Sequence, residues 1–128
     1  MHKLLLIIGS SYGLLSVLLG AFGAHALKAK LTLEQLNAFE TGVKYQFYHA
    51  LVLLFVGMYL QKYSNQLIGY AGYLFITGVV LFSGSLYLIA TKNLLGIESW
   101  KWLGPITPIG GTLLIIGWVL LLIAFIKN

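Results

Sequence analysis

The chain alternates long apolar runs with short polar breaks, and run length sets the elements. Apolar stretches cover about 4–27, 45–60, 67–90 and 106–126. A helix needs about 20 mostly apolar residues to cross a hydrocarbon core roughly 30 Å thick. The runs are too long and too uniformly apolar for barrel strands, and a lone spanning segment must satisfy its own backbone, so helices are predicted. Short breaks between them predict neighbours that run up, down, up, down. The expected fold is an all-α integral membrane four-helix bundle, a single domain over 1–128.

Local pattern refines each element. In the first run Gly9, Gly13, Ser16, Gly20 and Ala24 fall three or four residues apart and form a stripe of small side chains. Such stripes let helix backbones approach closely in lipid, either within the bundle or between copies of the chain. Ala24-His25-Ala26 after an apolar run imitates a signal-peptide cleavage site, but the run exceeds a signal core of about 7–15 residues, so a retained helix is expected. Thr32-Leu33-Glu34-Gln35 matches a capping box. Leu33, Leu36, Phe39, Val43 and Phe47 then recur at helical spacing, which predicts an amphipathic interfacial lead-in running directly into the second span. A helix from Leu33 to Leu60 would be about 42 Å long at 1.5 Å per residue, longer than the hydrocarbon core, so it is expected to project, tilt or bend, with Gly42 the place for a bend. Trp100-Lys101-Trp102 carries the aromatic-and-lysine mark of a membrane interface. Pro105 and Pro108 suit the first turn of the fourth helix.

Composition agrees with the pattern. Hydrophobic residues make up 59% of the chain and charged residues 9%, where soluble domains carry about a quarter charged; mean hydropathy is +0.92. There is no Asp, Arg or Cys. Disulfides, thiolate metal sites and cysteine nucleophiles are therefore excluded. The eight Lys and three Glu give a net charge of +5, but the lysines are scattered at segment ends. They suit lipid headgroups and topology rather than nucleic acid, which is not an expected partner. Lys28, Lys30, Lys44, Lys92 and Lys101 fall on the face where the first span ends, against Lys3, Lys62 and Lys127 on the other. The lysine-richer face is expected to be cytoplasmic, placing both termini outside, in the plasma (inner) membrane.

Topology also gathers the polar residues. His25 ends the first span, Gln46 and His49 lie in the half of the second that begins at the same face, Ser83 and Tyr87 end the third, and Thr107 starts the fourth. Gln46 and His49 are three apart and Ser83 and Tyr87 four apart, so each pair shares a helix face. Ser85 points roughly opposite to Ser83, so both cannot face one pocket centre, and the place of Ser85 is left open. His25, Gln46, His49, Ser83, Tyr87 and Thr107 are the candidate ligand-binding residues.

Four segments, Gly20-Ala21-Phe22-Gly23-Ala24-His25-Ala26-Leu27, Tyr45-Gln46-Phe47-Tyr48-His49-Ala50-Leu51, Leu81-Phe82-Ser83-Gly84-Ser85-Leu86-Tyr87 and Pro105-Ile106-Thr107-Pro108-Ile109-Gly110-Gly111, resemble the bacterial domain of unknown function 423 family, whose eukaryotic relative is transmembrane protein 256. The resemblance spans nearly the whole chain. It implies a small four-helix membrane protein and no established activity.

The first reading of the cluster is structural: side chains that bond one another between helices, in a protein that acts through contacts with membrane lipids, other membrane proteins or itself. The alternative is a pocket for a lipid, quinone or small amphipathic ligand. Haem held axially by two histidines and a small transporter rank behind these. No cofactor is predicted otherwise, and no metal site, since zinc wants three or four protein ligands. No enzyme is expected: neither serine has a carboxylate-oriented base or a nucleophile elbow.

Overall fold

The computed structural model describes residues 2–127. Helix α1 spans His2–Phe22 and continues as a π-helical turn over Gly23–Leu27; α2 spans Leu33–Lys62, α3 Gln66–Ala90, the single turn α4 Lys92–Leu95, and α5 Leu103–Lys127. The four long segments each have the length and hydropathy to cross a membrane. The protein is an all-α membrane bundle.

Local chemistry explains the boundaries. Thr32 caps α2 by accepting from the Gln35 amide while the Gln35 side chain accepts from the Thr32 amide, both at 3.1 Å, so two otherwise unpaired donors are satisfied reciprocally. The Asn65 side chain accepts from the Ile68 amide at the start of α3. Gly96, at φ 70°, ends α4 in the left-handed conformation that glycine adopts without steric cost. Helix α5 begins at Leu103, three residues before the apolar run, so Pro108 lies inside the helix rather than in its first turn.

The second helix is continuous through Gly42. Its 30 residues would extend about 45 Å. The lead-in packs within the bundle through its apolar side: Leu36 and Phe39 are buried, and Phe39 packs with Leu27 and Ala90 at the π turn. Glycine at position 42 serves close approach to α3. A Cβ there would lie 2.7 Å from Cε1 of Tyr87, too near for the ring to keep its place.

Packing follows chain order. Helix α1 lies on α2, α2 on α3 and α3 on α5, while no Cα of α5 comes within 8 Å of α1 or α2. The main core draws Leu5, Leu53, Val56, Phe75, Val79, Leu114 and Leu121 from all four long helices. The α3–α5 seam is the tightest: a Cβ on Gly110 would collide with backbone atoms of Leu81 and Phe82. Along the predicted small-residue stripe, Gly9 and Ser16 are buried and the Gly9 backbone meets Ala50 and Leu53 of α2. A Cβ added to Gly13 or Gly20 would lie only at ordinary contact distance from Ala50 or Val43. Ala24 is exposed on the π turn and so leaves the packed face, a correction to the stripe as read from spacing.

Candidate functional site

Gln46 is the centre of the polar interior. It is nearly fully buried, close to the middle of α2. Its Nε2 donates to the Tyr12 carbonyl of α1 at 3.0 Å, and its Oε1 accepts from the Tyr87 hydroxyl of α3 at 2.6 Å. The carbonyl can only accept, which fixes the amide orientation and makes Tyr87 the donor. Tyr12 closes the triangle by donating its own hydroxyl to the Ile76 carbonyl of α3 at 2.9 Å. The Ser16 hydroxyl adds a bond to the Tyr12 carbonyl at 2.7 Å. One turn along α2, Ser83 donates to the Gly42 carbonyl at 2.7 Å, and the Tyr87 ring packs on Phe39 with centroids 5.0 Å apart.

His49 forms a second, separate group. It is buried, but it faces α5 rather than Gln46. Nδ1 lies 2.7 Å from the Tyr45 carbonyl and Nε2 accepts from the Trp118 indole at 3.0 Å. A carbonyl cannot donate and an indole N–H cannot accept, so the proton sits on Nδ1 and the lone pair on Nε2. The ring packs against Phe75 at 5.3 Å and edge-on to Trp118 at 5.9 Å. With both nitrogens engaged, an iron or zinc ion could reach Nε2 only by displacing Trp118.

A third pair links α3 to α5 where Ser85 and Thr107 share a hydroxyl–hydroxyl bond. Ser83 thus faces α2 and Ser85 faces α5. Thr107 belongs to this pair and not to the Gln46 group.

His25 stands apart from all three groups. Gly23 and Leu27 are the buried members of the π turn, and a Cβ on Gly23 would sit 2.9 Å from the Phe39 ring. That approach turns the intervening His25 outward, where it is exposed. The six sequence candidates are therefore distributed as one interior triangle containing Gln46 and Tyr87 with Ser83 adjacent, one His49–Trp118 pair, one Thr107–Ser85 pair, and an exposed His25. Among the described residues no three His, Cys, Asp or Glu side chains lie together in a way that could hold a metal.

Two participants escaped sequence reasoning, Tyr12 and Trp118. Each was absorbed into an apolar run, yet an indole N–H or phenol O–H deep in a span needs a partner, since no water is there to supply one. Trp118 lies far from the Trp100–Lys101–Trp102 interface, and that isolation was the available signal.

The architecture and internal polar bonds define a small multi-pass membrane protein. A family model described as "Protein of unknown function (DUF423)" matches residues 19–111, and the chain belongs to that family. It is 42% identical to a UPF0382 membrane protein of Staphylococcus haemolyticus over 125 residues, 98% of this chain and 97% of the relative. It is 41% identical to the UPF0382 membrane protein YwdK of Bacillus subtilis over 126 residues, 98% of each, and 41% identical over 125 residues to one of Staphylococcus aureus, 98% of this chain and 97% of the relative. No solved structure matches it.

Proposed function

We propose that this chain is a non-enzymatic structural or interaction protein of the plasma membrane, and that its polar interior braces the bundle rather than receiving a ligand. One observation carries the reading: among the described residues, no buried side-chain nitrogen or oxygen lacks a hydrogen-bond partner. A binding pocket holds polar groups in reserve for its ligand; here Gln46, His49, Ser83 and Tyr87 spend theirs on neighbouring helices. Interhelical bonds of this kind fix which helix faces meet and add stability on the order of 0.6 kcal/mol each.

On this reading the work is done at the outer surface, through contacts with lipid or other membrane proteins. The five lysines at the Gln46-proximal end of the spans favour a cytoplasmic placement for that end and external termini.

Native mass spectrometry of protein extracted from its own membrane tests the brace. Wild type and His49→Ala are expected to carry the same set of small molecules. A quinone- or metabolite-sized species present in wild type and lost from His49→Ala would replace the brace with a ligand pocket. Haem-supplemented expression should leave the protein colourless, and tags at either terminus should be reachable from outside intact cells.

A further inference from the structure

The connection from α3 to α5 folds back on itself. Gly96, at φ 70°, reverses the chain after α4, and the Ile97 amide donates to the Lys92 carbonyl at 3.0 Å. The Trp100 amide donates in turn to the Ile97 carbonyl at 2.9 Å. These turns bring Lys92, Glu98 and Lys101 onto one cleft of about 380 Å³, with Ile97 and the buried Leu103 in its apolar lining. Ligand pockets occupy about 300–1,000 Å³.

The charges set this cleft apart. Two cations and one carboxylate line it, and Lys92 is half-buried there. Among the described residues Glu98 forms an ion pair with neither lysine. Opposite charges that line one cleft without meeting suit a molecule that carries both signs.

Depth narrows the kind of molecule. Helix α3 has 25 residues and extends about 38 Å at 1.5 Å per residue. That exceeds a hydrocarbon core of roughly 30 Å and stays within the roughly 40–45 Å that includes the headgroups. The end of α3, and the cleft with it, therefore lies among the headgroups. Leu94, Leu95, Trp100 and Trp102 are exposed in the same connection. The two indoles stack with centroids 5.5 Å apart, at the level where tryptophan favours a membrane interface.

We propose that this cleft binds the headgroup of one phosphatidylethanolamine, with the phosphate drawn to Lys92 and Lys101 and the primary ammonium to Glu98. Phosphatidylglycerol offers Glu98 no cation. Phosphatidylcholine offers a quaternary ammonium, which has no N–H to donate to the carboxylate. The inference names one lipid contact of the outer surface and rests on the surface role proposed above.

Native mass spectrometry of the delipidated protein in detergent tests it. The unaltered chain is titrated with phosphatidylethanolamine, its mono- and dimethylated forms, phosphatidylcholine and phosphatidylglycerol. Phosphatidylethanolamine should bind about fivefold more tightly than phosphatidylcholine, the upper end for an exposed ion pair, and binding should decline along the methylation series. Glu98→Gln should abolish that discrimination and raise phosphatidylglycerol relative to phosphatidylethanolamine. Lys92→Gln with Lys101→Gln should weaken every phospholipid, whereas Lys62→Gln with Lys127→Gln should leave the order unchanged. The methylation series uses the native chain, so its outcome is independent of how the variants fold. Equal binding across the series overturns the proposal, as does a preference that Glu98→Gln retains. Both results leave the interior brace standing. Phosphatidylethanolamine lost from His49→Ala but kept by the cleft variants would move the lipid inside the bundle and overturn both readings.

Discussion

Tyr87→Phe removes one oxygen from the centre of the interior triangle and leaves the rest in place. The ring keeps its packing on Phe39, and the change deletes the 2.6 Å bond to Gln46. Gln46 Oε1 is then buried without a donor. Orphaning a buried acceptor costs about 1–3 kcal/mol in soluble cores. Interhelical bonds measured in membranes average about 0.6 and reach about 1.7 kcal/mol, because the unfolded helices also find partners. The overlap of these ranges predicts a loss of roughly 1–1.7 kcal/mol. Gln46→Leu orphans the Tyr87 hydroxyl in return. The Tyr12 carbonyl it abandons keeps the Ser16 hydroxyl, so that side of the change is mild. In the double variant neither group needs the other. Its cost should fall short of the summed single costs by about 0.6–1.7 kcal/mol, the pairwise coupling. Reversible unfolding by dodecyl sulfate in mixed micelles, followed by far-ultraviolet circular dichroism, measures all three. Strictly additive costs would refute the bond as a brace, because additivity means the two side chains do not sense each other.

Three further outcomes follow from the packing. Gly110→Ala places a methyl against the α3 backbone at Leu81 and Phe82, which no rotamer change relieves; it should cost at least the roughly 1–3 kcal/mol of ordinary overpacking, read as a lowered unfolding midpoint in the same assay. Gly9→Leu should destabilise while Ala24→Leu, on the exposed π turn, should leave the midpoint within about 0.5 kcal/mol of wild type, the usual range for exposed substitutions. Nitrogen-15 spectra of labelled histidine should show His49 with the proton on Nδ1 and an unprotonated Nε2; in Trp118→Phe the Tyr45 carbonyl should keep the proton on Nδ1 while the Nε2 resonance shifts with loss of its donor.

Depth was readable from the sequence and direction was not. Run lengths and breaks located the four spans, and the Thr32–Gln35 capping box was visible because its chemistry is local. The polar residues sort by level along the membrane axis from topology alone, which brought Gln46, Ser83 and Tyr87 into one neighbourhood. Azimuth depends on which faces meet. Gly23 approaching Phe39 decides that His25 faces out, and that approach is a tertiary fact with no trace in spacing. His49 shares a side of α2 with Gln46, yet the offset of about 60° between positions three apart suffices to aim one at α3 and the other at α5. Trp118 and Tyr12 were hidden for a different reason: hydropathy scores the body of an aromatic side chain and overlooks its single polar atom.

The sequential packing of the helices bears on how the protein reaches its final form in the bilayer. Each long helix after α1 packs on the long helix threaded just before it, with only the short turn α4 intervening. No spanning segment must wait in lipid for a distant partner, and α5, resting on α3, can be the last to settle. The Trp118–His49 bond then closes only after α5 itself has been threaded. Once seated, α5 is held by the closest backbone approach in the bundle, Gly110 against Leu81 and Phe82, so the last helix to arrive is not thereby the first to leave.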